Sequence, residues 1–200
     1  MPSEQLPATL GVVAAFLNSI DRRSGQDDLA TPAAMSGWLA RHRLVPPQTE
    51  FDEPDRRRLI ETREALLVLL VTNGGGPVDR RAVTTLNEAA RRIRLGVRLH
   101  PVDGYRLMAE APGVDRPIGD LLVRVMGAMA AGQWPRLKAC ADPDCRRAYW
   151  DASRNRSARW CSMAGCGSRI KGRAYRRRRA TAGGMASVVT LDLEPVAAAS

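Results

Sequence analysis

Cys140-Ala-Asp-Pro-Asp-Cys145 and, after fifteen intervening residues, Cys161-Ser-Met-Ala-Gly-Cys166 hold every cysteine of this 200-residue chain. Two close pairs joined by a mid-length loop form the layout of a structural four-cysteine zinc site, in which each pair bends around the ion and the loop lets the pairs meet tetrahedrally. Asp142-Pro143 and Gly165 supply turn chemistry inside the pairs. The expected ligands are therefore Cys140, Cys145, Cys161 and Cys166, and the expected cofactor is one structural Zn2+. Four thiolates saturate tetrahedral zinc and leave no open position for catalysis. Two disulfides would need an oxidising compartment that nothing in the sequence indicates. Four thiolates also suit an iron–sulfur cluster, and spacing by itself leaves that alternative open.

The charge pattern surrounds these cysteines. The chain has 31 Lys+Arg, 21 Asp+Glu and a formal charge of +10. Residues 136–179 hold fourteen of the bases and three of the acids, a net +11, so the remaining chain is close to neutral at −1. Few large apolar residues lie in this segment, so metal binding is expected to supply folding energy that a small core cannot. Two basic surfaces stand out. The first is the loop between the pairs, with Arg154, Asn155, Arg156 and Arg159. The second follows the last ligand: a helix is expected from Ser168 to Arg179, with Ile170 and Ala174 on one face. Its Arg169, Lys171, Arg173, Arg176 and Arg177 join Ser168 as expected nucleic-acid contacts, and Gly172 weakens the helix by about 1 kcal/mol. Arginine, serine and asparagine hold phosphate oxygens and read base edges. Tyr149, Trp150 and Trp160 could stack on bases, but beside cysteines they are read first as core of the module.

Upstream, the pattern is mostly helical. Leu10, Val13, Ala14, Leu17 and Ile20 recur at helical spacing over residues 8–20. Thr31-Pro32 starts a second helix through Met35, Trp38 and Leu39 to about His42. Asp52 or Asp55 caps a third, which carries Leu59, Leu66 and Leu70 and stops at Asn73-Gly74. A fourth helix is expected over residues 79–92. Residues 92–99 then alternate apolar and polar with period two, and with the Pro101–Gly104 turn and Tyr105–Ala109 they read as a β-hairpin. Pro117 opens a last helix of the body, ending near Gly132. The expected class is α+β: a mostly helical domain with a small antiparallel hairpin over residues 1–134, a four-cysteine finger over 135–180, and a flexible tail over 181–200 in which residues 188–193 could form a strand.

The run from Cys140 to Arg179 resembles the CGNR zinc finger. The matching blocks are Cys-Ala-Asp-Pro-Asp-Cys (140–145), Tyr-Trp-Asp-Ala-Ser-Arg-Asn (149–155), Arg-Trp-Cys-Ser-Met (159–163) and Cys-Gly-Ser-Arg (166–169). Ser168 stands where the family's naming tetrad has Asn, so a contact made by that amide would be lost to a shorter hydroxyl. The resemblance implies an N-terminal ABATE domain, and the order and length of the body are similar to one, with Phe16-Leu17-Asn18-Ser19-Ile20-Asp21 and Trp38-Leu39. It also implies DNA binding and regulation of transcription in response to stress.

The expected function is thus a bacterial-type, DNA-binding transcription regulator whose near-neutral body senses a small molecule or forms a homodimer. An RNA- or ribosome-associated role, or docking of an acidic protein partner, stays open because charge and zinc do not distinguish these polyanions. No stretch approaches the roughly 20 apolar residues of a membrane span, so no membrane partner is expected. A cytoplasmic, nucleoid-associated protein is the corresponding localisation. Catalysis is not expected. His42 and His100 sit in no nucleophile or metal motif, Gly74–Gly76 lacks the Lys-Ser/Thr of a phosphate loop, and Asp52, Glu53 and Asp55 read as a capping cluster.

Overall fold

Thr31 closes the first turn of its helix as its sequence requires: its hydroxyl accepts the Ala34 N–H at 3.1 Å, and Pro32 occupies the first helical position. The computed structural model describes residues 5–101 and 104–185. It divides into two units, residues 1–161 and 162–200. The first contains α1 (Ala8–Leu17), the short hairpin β1 (Ile20–Asp21) and β2 (Gln26–Asp27), α2 (Pro32–Arg41), α3 (Glu53–Asn73), α4 (Arg80–Arg91), the hairpin β3 (Arg94–His100) and β4 (Gly104–Glu110), and α5 (Asp115–Ala130). A single 3-10 turn at Trp134–Arg136 leads into a third hairpin, β5 (Leu137–Ala139) and β6 (Ala148–Trp150). The second unit holds a π-type turn at Met163–Gly167 and α6 (Ser168–Met185). The architecture is α+β with small antiparallel sheets, as the sequence pattern predicts.

The caps explain most helix limits. At α3, Asp52 accepts the Asp55 N–H at 2.8 Å and Asp55 accepts the Asp52 N–H in return, so the two aspartates of the expected capping cluster act together. Asp79 caps α4 through the Arg81 and Ala82 N–H groups. Helix α1 stops at Leu17, three residues before the periodicity ends, because Ser19 turns its hydroxyl back onto the Phe16 carbonyl and Ile20 enters β1 opposite Asp27. Helix α5 begins at Asp115 rather than Pro117; proline is tolerated there because first-turn N–H groups have no intrahelical acceptor.

The core of this unit gathers Leu10, Phe16, Leu17, Leu59, Leu66 and Leu70 with Ile118 and Leu121, all buried. Leu137, Ala139 and Ala148 of the third hairpin belong to the same core, and Trp150 packs against it. Asn18 completes that join: its amide nitrogen donates to the Ala148 carbonyl at 3.0 Å and its amide oxygen accepts the Ala148 N–H at 2.8 Å. Asn73, at the end of α3, donates to the carbonyls of Trp134 and Leu137, each at 2.9 Å. Helix α6 extends the expected helix to Met185; the expected strand at 188–193 lies outside the described residues.

Candidate metal centre and basic surface

Cys140 follows directly on β5, and its N–H is fixed by the Arg147 carbonyl at 2.9 Å. A tight turn then brings Cys145 back: the Cys145 and Arg146 N–H groups both donate to the Asp142 carbonyl, and Arg146 takes the left-handed conformation at φ 49°. The Asp142 carboxylate is buried and receives Arg23 from the β1–β2 loop at 2.5 Å. In the second pair, the Ser162 hydroxyl accepts the Gly165 N–H at 3.1 Å and the Ser162 carbonyl accepts the Gly167 N–H at 3.0 Å, which closes the turn that carries Cys166. All four Sγ atoms lie within 4.8 Å of one another.

The donor set fits zinc. Zn–S bonds of about 2.3 Å set the tetrahedral S–S edge near ~3.8 Å. The Cys145 and Cys161 sulfurs are 3.7 Å apart, and none of the four cysteines is in a disulfide. Cys140 and Cys166 are buried while Cys145 and Cys161 are half-buried, so the centre has a dry side and a wet side. Arg169 directs its guanidinium Nη2 to the Cys166 Sγ at 3.5 Å. A cation donating to a ligating thiolate offsets its charge and orients it.

The match to protein-family models follows this geometry. Residues 136–179 match the CGNR zinc finger, and residues 11–133 match the ABATE model, described as "Putative stress-induced transcription regulator". The chain belongs to the ABATE family. Its CGNR finger follows the ABATE domain in the expected order, and the finger's four cysteines hold one structural zinc ion. No curated protein matches the sequence.

The loop between the two cysteine pairs is built around one carboxylate. Asp151 is buried and accepts Lys138 Nζ at 2.7 Å, the Ser153 hydroxyl at 2.6 Å, the Ser153 N–H at 3.0 Å and the Ala158 N–H at 3.0 Å. Burial by itself would raise its pKa; the hydrogen bonds from Lys138 and Ser153 outweigh burial and hold it below the usual carboxylate value. Lys138 also donates to the Arg156 carbonyl, Arg136 donates to the carbonyls of Asp151 and Ser153, and the Tyr149 hydroxyl donates to the Ala158 carbonyl at 2.6 Å. The backbone of residues 151–158 is thus held from inside. The side chains of Arg154, Asn155, Arg156 and Arg159 are exposed, with Arg156 left-handed at φ 50°. The Arg159 guanidinium lies over the Trp160 ring, 5.7 Å from its centroid.

Of the residues expected on the helix, Ser168, Arg169, Lys171, Arg173, Arg176 and Arg177 are exposed on α6. Ser168 donates its hydroxyl to the Met163 carbonyl at 3.1 Å, a bond inside the finger that a serine reaches without the family's amide. Ile170 and Ala174, expected on one face of the helix, are both half-buried. The sequence does not reveal Asn18, Arg23, Arg136, Lys138 or Asp142 as supports of the finger. Asp151 lies inside the quoted Tyr-Trp-Asp-Ala-Ser block, and that block is the one local signal for its role.

Proposed function

We propose that this ABATE protein is a DNA-binding transcription regulator, whose finger grips the duplex through α6 and the loop at Arg154–Arg159. One observation carries the reading. Helix α6 starts two residues after the ligand Cys166 and holds seven Lys/Arg and no acid in 18 residues. At 1.5 Å per residue it spans about 27 Å, a length that fits along a major groove. The zinc sets the start of this helix, Arg169 links it to the metal ligand, and the exposed basic side chains of α6 and the loop lie where phosphates and base edges can reach them. The chain's role in this reading is binding, with no reaction assigned to it, and its location follows the DNA. No helix among the described residues is long and apolar enough to cross a membrane.

Zinc-loaded full-length protein should bind duplex DNA at low salt, and the affinity should fall steeply as salt rises. Each neutralised phosphate adds roughly 0.9 to the slope of log affinity against log salt. Arg173→Ala and Arg176→Ala should each lower that slope by about 1. Absence of duplex binding at low salt would overturn the reading. Preference for an RNA hairpin in direct competition would reassign the partner to RNA.

A further inference from the structure

Hairpin β3–β4 has one apolar face that outruns the body beneath it. Antiparallel pairing sets Leu95 opposite Ala109, Val97 opposite Leu107 and Leu99 opposite Tyr105, so all six side chains share a face. At the base this face is docked on α5. Ala109 is 2% exposed, and Gly119 is bare because a Cβ there would come within 2.4 Å of the Ala109 Cβ. Towards the tip the cover runs out: Leu95 is 47% exposed and Leu99 80%. The opposite face carries Arg94, Arg98 and Arg106, all exposed, so the ribbon is amphipathic towards its tip, where Arg98 and Arg106 back Val97, Leu99 and Tyr105.

Beside the base of the ribbon lies an apolar groove of about 230 Å³ between α3, α4 and α5. Leu86, Ala90, Val125, Met126 and Met129 line it, and Leu95 of the ribbon forms part of its wall. Val83, Met126 and Met129 are also exposed at this groove. One protomer therefore presents both an apolar projection and an apolar recess on adjoining surfaces.

We infer that this surface is a homodimer interface, in which the ribbon tip of each copy covers the groove of the other about a two-fold axis. Such an exchange is self-complementary and closes after two copies, so it needs no second protein. The area suffices: the five exposed apolar residues of the ribbon and the three of the groove present on the order of 800 Å², the area per partner of a standard specific interface. A patch of that size exceeds what a soluble monomer ordinarily leaves uncovered. The groove residues of α3, α4 and α5 and the ribbon residues Leu95, Val97, Leu99, Tyr105 and Leu107 build the interface, so it stands apart from the DNA reading. Two copies would, in addition, offer two basic helices to one duplex.

The test is the mass of the zinc-loaded full chain, without nucleic acid, by analytical ultracentrifugation. At micromolar concentration the chain should sediment as a dimer. Leu99→Glu and Met126→Lys both alter exposed positions, so each should keep its helical circular dichroism and zinc content. Each should weaken dimerisation about 30-fold or more, the loss typical of an interface centre. Mixing the two variants should restore the dimer, because one tip–groove contact is then native and the other pairs a carboxylate with an ammonium. A monomeric wild-type chain would overturn the inference, including one that binds an apolar dye in the groove or attaches to lipid vesicles through the ribbon. Undiminished dimerisation of both variants, or no recovery on mixing, would overturn it equally.

Discussion

Replacing Asp151 by Asn changes one atom and removes one charge, yet the structure makes it a costly change. Lys138 Nζ sits in a side chain that is 6% exposed, and the Asp151 carboxylate it contacts is 0% exposed. In Asp151→Asn the ammonium keeps the Arg156 carbonyl and loses the carboxylate that balances its charge. The new amide NH2 can also face the Ala158 N–H or the lysine, donor against donor. Stranding a buried charge in this way costs about 3–5 kcal/mol. With slopes of about 1–3 kcal/mol per molar urea, the midpoint should fall by about 1 M or more. Adding Lys138→Met removes the stranded charge and should recover about 1–4 kcal/mol of the loss. Urea titration of the zinc-loaded chain, followed by circular dichroism and by zinc release to a chromogenic chelator, reads both effects. A loss below about 1 kcal/mol for the single variant, or a double variant weaker still, would show that water reaches the pair and that Asp151 does not organise the loop.

Cys161→Ser should drop the zinc content well below one ion per chain by metal analysis while the helical signal of the body persists; undiminished stoichiometry would refute the four-ligand assignment. Gly172→Ala should stabilise α6 by about 1 kcal/mol, since the added Cβ would meet only the Arg176 Nη1, at 3.5 Å, and glycine is a poor helix former. Higher helicity by circular dichroism, with unchanged zinc content, is the expected readout. Asp27 gives the pH dependence. Burial alone would raise its pKa, but bonds from Arg63 and the Leu29 N–H, with the charges of Arg63 and Arg56, leave it lowered. Its stabilisation is therefore complete above the unfolded value near ~4 and is lost as pH falls through the lower folded value. The stability gap between wild type and Asp27→Asn, measured by urea titration, should be widest near neutrality and shrink as pH drops below about 4.

What could be read in the sequence was local. Cysteine spacing gives the metal ligands without any tertiary knowledge, because the metal enforces the spacing. Thr31, Asp52 and Asp55 announce helix starts by bonds that span three residues. The alternation over residues 92–99 gives the β3–β4 ribbon for the same reason: period two survives where one face is apolar and the other basic. The two short hairpins escape that logic. β1–β2 has two residues per strand and β5–β6 has three, too few for any period to show. The supports of the finger escape it as well: Asn18 meets Ala148 across 130 positions and Arg23 meets Asp142 across 119. A polar side chain gives no sign of a partner at such range until the fold brings the two together.

The grip of Asn18 on the Ala148 backbone has a consequence for anyone recombining these modules. A chimera cut at the gap between the two family matches, after residue 133, would carry Leu137, Ala139 and Ala148 onto a foreign body. Unless the recipient offers an amide at the end of its first helix, a second at the end of its third, and an arginine facing the first cysteine turn, the graft would arrive with unsatisfied peptide groups and a buried lone carboxylate. Transplanting this finger between proteins therefore means moving three distant side chains along with it, and a minimal donor is a discontinuous set of residues rather than a C-terminal fragment.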